Sequence, residues 1–133
     1  MSSADHKHNI LTELIQFALV DGHLDESELE FLIHLASDLE VSRESFLDLF
    51  SNPLPSKPLP NVHDRIIQFY RLCLLMHADG LVHPKESVRL HEMGIKMGLD
   101  PMGIQKILDM LEEAAGKTID ANVLFELFSV QWN

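Results

Sequence analysis

Apolar residues recur at three- and four-residue spacing along almost the whole chain, and no segment sustains two-residue alternation. The pattern predicts an all-α protein of about seven helices. Ile10, Leu11, Leu14, Ile15 and Ala18 mark one face of a first helix over about Lys7–Val20. Leu29, Leu32, Ile33, Ala36 and Leu39 mark a second. Ser42 can cap a short third helix bearing Phe46, Leu47 and Phe50. Asn61 can cap a fourth that presents Ile66, Phe69, Cys73 and Met76. The fifth runs from about Pro84 to Met97, with Leu90, Met93, Gly94 and Met97 inward. Asp100-Pro101 is a cap followed by proline at the first helical position, which starts a sixth helix over Met102–Ala115. Gly116 stops that helix and Thr118 caps the last, whose Val123–Val130 segment is apolar on most sides and is expected to lie between the halves of the molecule.

The polar positions carry a second message. Asp21-Gly22-His23-Leu24-Asp25-Glu26-Ser27-Glu28 returns further along as Asp79-Gly80-Leu81-Val82-His83-Pro84-Lys85-Glu86. The offset that carries Asp21 onto Asp79 also carries Leu32 onto Leu90. Each copy leaves a helix, turns on glycine and enters the next helix with a carboxylate in its first turn. The repeat spans about 10–50 and 66–110. Four of the six prolines crowd the segment 51–61 and read as a stiff extended connector. The expected plan is a single domain over 1–133: two three-helix halves related by a pseudo-twofold axis, plus a closing helix.

Turn and cap chemistry explains much of the motif. Asp25 and Glu28 form a capping box, and Glu86 complements the positive end of a helix dipole. Asp21 and Asp79 are harder to explain that way. Each stands at a helix C-terminus, where a carboxylate costs roughly 0.3–1 kcal/mol. If the halves pack about a twofold axis, Asp21, Glu28, Asp79 and Glu86 converge. Two like charges ~4 Å apart repel by about 4 kcal/mol at an effective dielectric of 20, so such a cluster calls for a cation, a proton or a lysine or arginine partner. Oxygen ligands favour calcium, magnesium or manganese. His77 and His83, beside or within the second turn, would move the choice toward zinc, nickel or manganese, and Asp25 is a further candidate ligand. An EF-hand is not expected, because its first and third ligand positions fall on Phe17 and Leu19 in one copy and Leu75 and His77 in the other.

Val20-Asp21-Gly22-His23-Leu24 with Glu28, paired with Ala78-Asp79-Gly80-Leu81-Val82 and Glu86, resembles the tellurite-resistance TerB family, which includes the N-terminal cytosolic domain of the DjlA co-chaperones. The resemblance covers most of the chain, from the first helix to the sixth. It implies an all-helical fold of two similar halves whose acidic turns form a divalent-metal or interaction site. Carried over, it implicates Asp21, Glu28, Asp79 and Glu86. The proline connector and His83-Pro84 depart from the family pattern, and no J-domain signature follows.

Composition narrows the function further. The formal charge is −11, and with all eight histidines protonated it is still −3. Such a surface repels phosphate backbones, so nucleic acid is not an expected partner and a basic protein is. No stretch has the ~20 apolar residues of a membrane helix, and Met1–Asn9 lacks the apolar core of a signal peptide. The single cysteine, Cys73, sits in an apolar run and reads as a buried reduced thiol in a cytoplasmic protein. No nucleophile elbow, HExxH or glycine-rich phosphate loop appears. The expected function is a non-enzymatic binding module, stress-related by resemblance. The alternatives are an oligomerising helical domain without metal and a metal-dependent hydrolase. Met93, Met97, Met102 and Met110 fall at helical spacing and read as core.

Overall fold

A computed structural model describes residues 3–19, 24–52, 59–77, 84–114 and 119–129. Among them are seven helices and no strand: α1 (Ser3–Leu19), α2 (Glu26–Asp38), α3 (Arg43–Ser51), α4 (Val62–Met76), α5 (Pro84–Lys96), α6 (Pro101–Ala114) and α7 (Ala121–Ser129). None is long and apolar enough to cross a membrane. The chain divides into two compact units, Met1–Lys57 and Pro58–Asn133, and the division falls inside the proline segment.

The register of the repeated turns extends through the helices. The shift that takes Asp21 to Asp79 also takes both ends of α2 onto both ends of α5, and the start of α3 onto the start of α6. The caps repeat as well. Ser42 Oγ accepts the Ser45 N–H at 3.2 Å, and at the matching position Asp100 Oδ2 accepts the Met102 N–H at 2.7 Å. Both α2 and α5 end in a Schellman motif. Val41 N–H reaches Ala36 O at 2.9 Å and Glu40 N–H reaches Ser37 O at 3.0 Å; Leu99 N–H reaches Gly94 O and Gly98 N–H reaches Ile95 O, each at 3.0 Å. The motif needs a left-handed residue, and the second copy supplies Gly98 at φ +80°. The first forces Glu40 to φ +59°, a conformation that crowds its Cβ.

Burial follows the same register. Leu32 and Leu90, Phe46 and Ile104, Leu49 and Ile107, and Leu11 and Phe69 are equivalent pairs in the two copies, and all are buried. In the first unit α1 packs on α2 and α3, which also touch each other. Phe46 and Phe50 meet edge-to-face there, with centroids 5.3 Å apart. In the second unit α4 packs on α5 and α7, and α6 packs on α5 and α7. The closing helix thus lies against α4 and α6 of its own unit. Its Leu124 and Phe128 are buried, its Phe125 ring lies 4.5 Å from His63, and Ile119 N–H ahead of it donates to Tyr70 Oη at 2.7 Å. Asn61 caps α4 as expected, accepting the N–H groups of His63 and Asp64 at 2.8 and 3.4 Å.

Three expectations about the core are corrected. Leu29 and Ile33 are exposed, at 36% and 48%, because α2 turns its Leu32–Ala36 line toward its neighbours, with Phe31, Leu35 and Leu39 half-buried beside it. On α3 Leu49 is buried with Phe46, and Leu47 is 52% exposed. On α6 Met102 is 65% exposed, while Met93, Met97 and Met110 are half-buried.

Thr12 is buried on α1 with no hydrogen-bond partner for its hydroxyl. Its counterpart in the second copy, Tyr70, does have one. Thr12→Val should therefore stabilise the protein by about 1 kcal/mol, read as a higher urea midpoint at unchanged slope.

Candidate functional site

The two acidic turns lie at the entrances of α2 and α5. Asp21 and Asp79, with His23 and His83 and the turn glycines, fall outside the described residues. The flanks of the turns are described and divide the candidates into two groups.

At the entrance to α2 the carboxylates serve the helix. Asp25 is the N-cap in an extended conformation, and its Oδ1 accepts the Glu28 N–H at 2.8 Å. Glu28 Oε1 accepts the Asp25 N–H in return at 3.4 Å. This reciprocal box satisfies two of the amide donors that a helix start leaves open. Glu26 and Glu28 also lie at the positive end of the α2 dipole.

At the entrance to α5 the chemistry differs. Pro84 takes the first helical position, and Glu86 occupies the place that Glu28 holds in α2. Glu86 Oε2 is buried and has no hydrogen-bond partner. A carboxylate oxygen removed from water without a donor or cation is costly, of the order of 1–3 kcal/mol or more for a charged group. Such an atom is suited to a cation.

His77, two residues before Asp79, is the C-cap of α4. Its Nδ1–H donates to the Cys73 carbonyl at 2.6 Å, since a carbonyl only accepts. In the neutral ring this leaves Nε2 with its lone pair outward, the arrangement found when a backbone carbonyl orients a metal-ligating imidazole. Cys73 itself is fully buried, and burial pushes its thiol pKa well up, so it supplies no thiolate. Among the described residues no three His, Cys, Asp or Glu side chains gather closely enough to hold a metal ion. Glu86 and His77 by themselves therefore do not make up such a centre.

Sequence reasoning passed over a second feature of this unit. Arg65 on α4 and Lys96 on α5 line a pocket of about 240 Å³ with Leu59, Met97 and Gly98. Their signal was present in the repeat: the equivalent positions of the first copy hold Lys7 and Asp38, a cation and an anion, where the second has two cations.

No protein-family model, curated protein or solved structure matches this chain.

Proposed function

We propose that the protein is a non-enzymatic, TerB-like binding module of the cytoplasm that holds a divalent cation at its acidic turns, in a stress-related role. One observation carries the reading: the buried, unpartnered Oε2 of Glu86, at the position where the first copy uses Glu28 for capping. Glu86 supplies a pre-desolvated oxygen ligand, Asp79 a second oxygen, and His77 Nε2 a nitrogen. His83 is a further candidate of the same turn. Asp21 and Glu28 are the corresponding pair of the first turn, where Asp25 and Oε1 of Glu28 already serve the cap. An oxygen-only set would take calcium, magnesium or manganese, and recruitment of His77 favours manganese or zinc. A lysine or arginine of a basic protein partner can satisfy the same carboxylates.

Isothermal titration of the full chain with calcium, magnesium, manganese and zinc tests the proposal. Binding should weaken at least tenfold in Glu86→Gln and disappear in the double variant Asp21→Ala, Asp79→Ala. A saturating cation at ~100 times its Kd should add about 2.7 kcal/mol to the stability of the unaltered protein. Undiminished binding in the double variant would remove these turns from the account.

An oligomerising helical domain is a second reading, and the exposed Leu29, Ile33 and Leu47 of the first unit favour it. Sedimentation that shows one copy per particle at high concentration would exclude it.

A further inference from the structure

In a chain with 21 carboxylates and ten lysines and arginines, Arg65 and Lys96 line one small pocket together. Like charges brought to one place repel unless something negative joins them. Part of their presence has a local explanation. The pocket lies at the C-terminal end of α5, the negative end of its dipole, and Lys96 belongs to the last turn. Arg65 Nη1 donates to the Met97 carbonyl at 3.1 Å, which satisfies one acceptor that the helix end leaves open.

That explanation leaves two facts over. The equivalent end of α2 closes with the same Schellman motif while carrying Asp38 where α5 has Lys96, so the motif does not require the second cation. And Arg65 Nε is buried with no hydrogen-bond partner. A guanidinium offers the Nε edge as a fork that matches a carboxylate. Here Nη1 is already spent on the backbone, and Nε is left without an acceptor. Gly98 makes room for this arrangement, since a Cβ there would stand 3.1 Å from Arg65 Nη1.

The remaining walls, Leu59 and Met97, are hydrocarbon. They suit an apolar body and would strip water from a doubly charged phosphate at a loss. A dry cavity of about 150 Å³ accepts benzene, so 240 Å³ admits a ring-sized or branched group with a carboxylate attached.

We infer that this pocket binds a small carboxylate carried on an apolar body, with the cationic side chains of Arg65 and Lys96 drawing the carboxylate, and Leu59 and Met97 lying against the hydrocarbon. The carboxylate can belong to a free organic acid or to the end of a peptide chain with an apolar last residue. The inference is independent of the acidic turns.

The test is a titration of the full-length protein followed by amide NMR shifts, with sodium benzoate and N-acetylleucine as the two probes. At least one should produce saturable shifts at Lys96, Met97 and Gly98. Tighter binding of N-acetylleucine assigns the site to a chain end, and tighter binding of benzoate to a free acid. Benzyl alcohol, of the same shape without the charge, should bind at least tenfold more weakly than benzoate. Arg65→Gln should lose at least tenfold in affinity. Because Arg65 also supports α5, the exposed Lys96→Gln is the second variant, with an expected loss of about threefold and no change in the circular dichroism spectrum. The inference is overturned if neither probe shifts these residues, if benzyl alcohol matches benzoate, if inorganic phosphate binds more tightly than both acids, or if Lys96→Gln leaves every affinity unchanged.

Discussion

Replacing Phe69, the largest fully buried side chain among the described residues, with alanine is expected to cost about 3–5 kcal/mol. Phe69 is completely buried on α4, the helix that packs against both α5 and α7. Its removal deletes an aromatic contact area and leaves a cavity that three helices cannot all close upon. At roughly 0.05–0.15 kcal/mol per residue, a unit the size of Pro58–Asn133 is stable by only about 4–11 kcal/mol. The variant should therefore have a second unit close to unfolding at room temperature. Urea denaturation followed by circular dichroism will read this as a large fall in the midpoint. Phe69→Leu, which keeps most of the volume, should retain a cooperative transition. Equal midpoints for the alanine variant and the parent would contradict the assignment of α4 as the centre of this unit.

The second large effect is expected at Gly103, where a methyl group should destabilise by about 1–3 kcal/mol despite the helix-forming advantage of alanine. A Cβ at Gly103 would overlap the ring of Phe128, which is itself buried on α7. The overlap is with ring atoms held between helices, so relief requires α7 to move. The counterpart in the first unit is Ser45, which carries a side chain where α3 packs on α1 and α2, with no further helix of that unit among the described residues. For a domain of roughly 60–100 residues this corresponds to a fall in Tm of about 4–8 °C per kcal/mol. A double variant with Phe128→Leu should recover part of the loss. Strict additivity of the two substitutions would show that the clash is not the cause.

The contrast between Ser45 and Gly103 indicates what was legible beforehand. Features decided within a few residues were read correctly: the caps at Asp25, Ser42, Asn61 and Asp100, and the helix boundaries they set. Each is a short-range competition between a side-chain oxygen and open amides, and needs no knowledge of the fold. The direction in which α2 and α3 face was not local. Leu29, Ile33 and Leu47 fit the apolar spacing as well as their buried neighbours do, and only the placement of adjoining helices turns them outward. The repeat nevertheless held the answer. Their counterparts in the second copy are Ser87, His91 and Gln105, all polar, and His91 Nε2 bonds Gln105 Oε1 at 2.8 Å between α5 and α6. Reading the copies against each other would have marked those three apolar positions as facing out.

The candidate site was legible as a motif and only in part as chemistry. The capping role of Asp25 and Glu28 followed from spacing alone. That Glu86 would keep an oxygen without a donor did not, because two positions equivalent in sequence met different surroundings. Likewise the orientation of His77 depends on the Cys73 carbonyl one helical turn back, which also accepts the His77 backbone N–H at 3.0 Å.

Cys73 gives the protein a built-in clock. It is the chain's single sulfhydryl, and it is sealed inside the second unit. Alkylating reagents attack the ionised sulfur, so capture must wait for an excursion that lets solvent in. Capture rates in water then time the breathing of that unit and are blind to the other. Ile15 occupies the corresponding place in the first unit and is buried too, so moving the sulfur from 73 to 15 would time that half by the same reaction. The ratio of the two rates measures whether the halves of a duplicated chain still open as one.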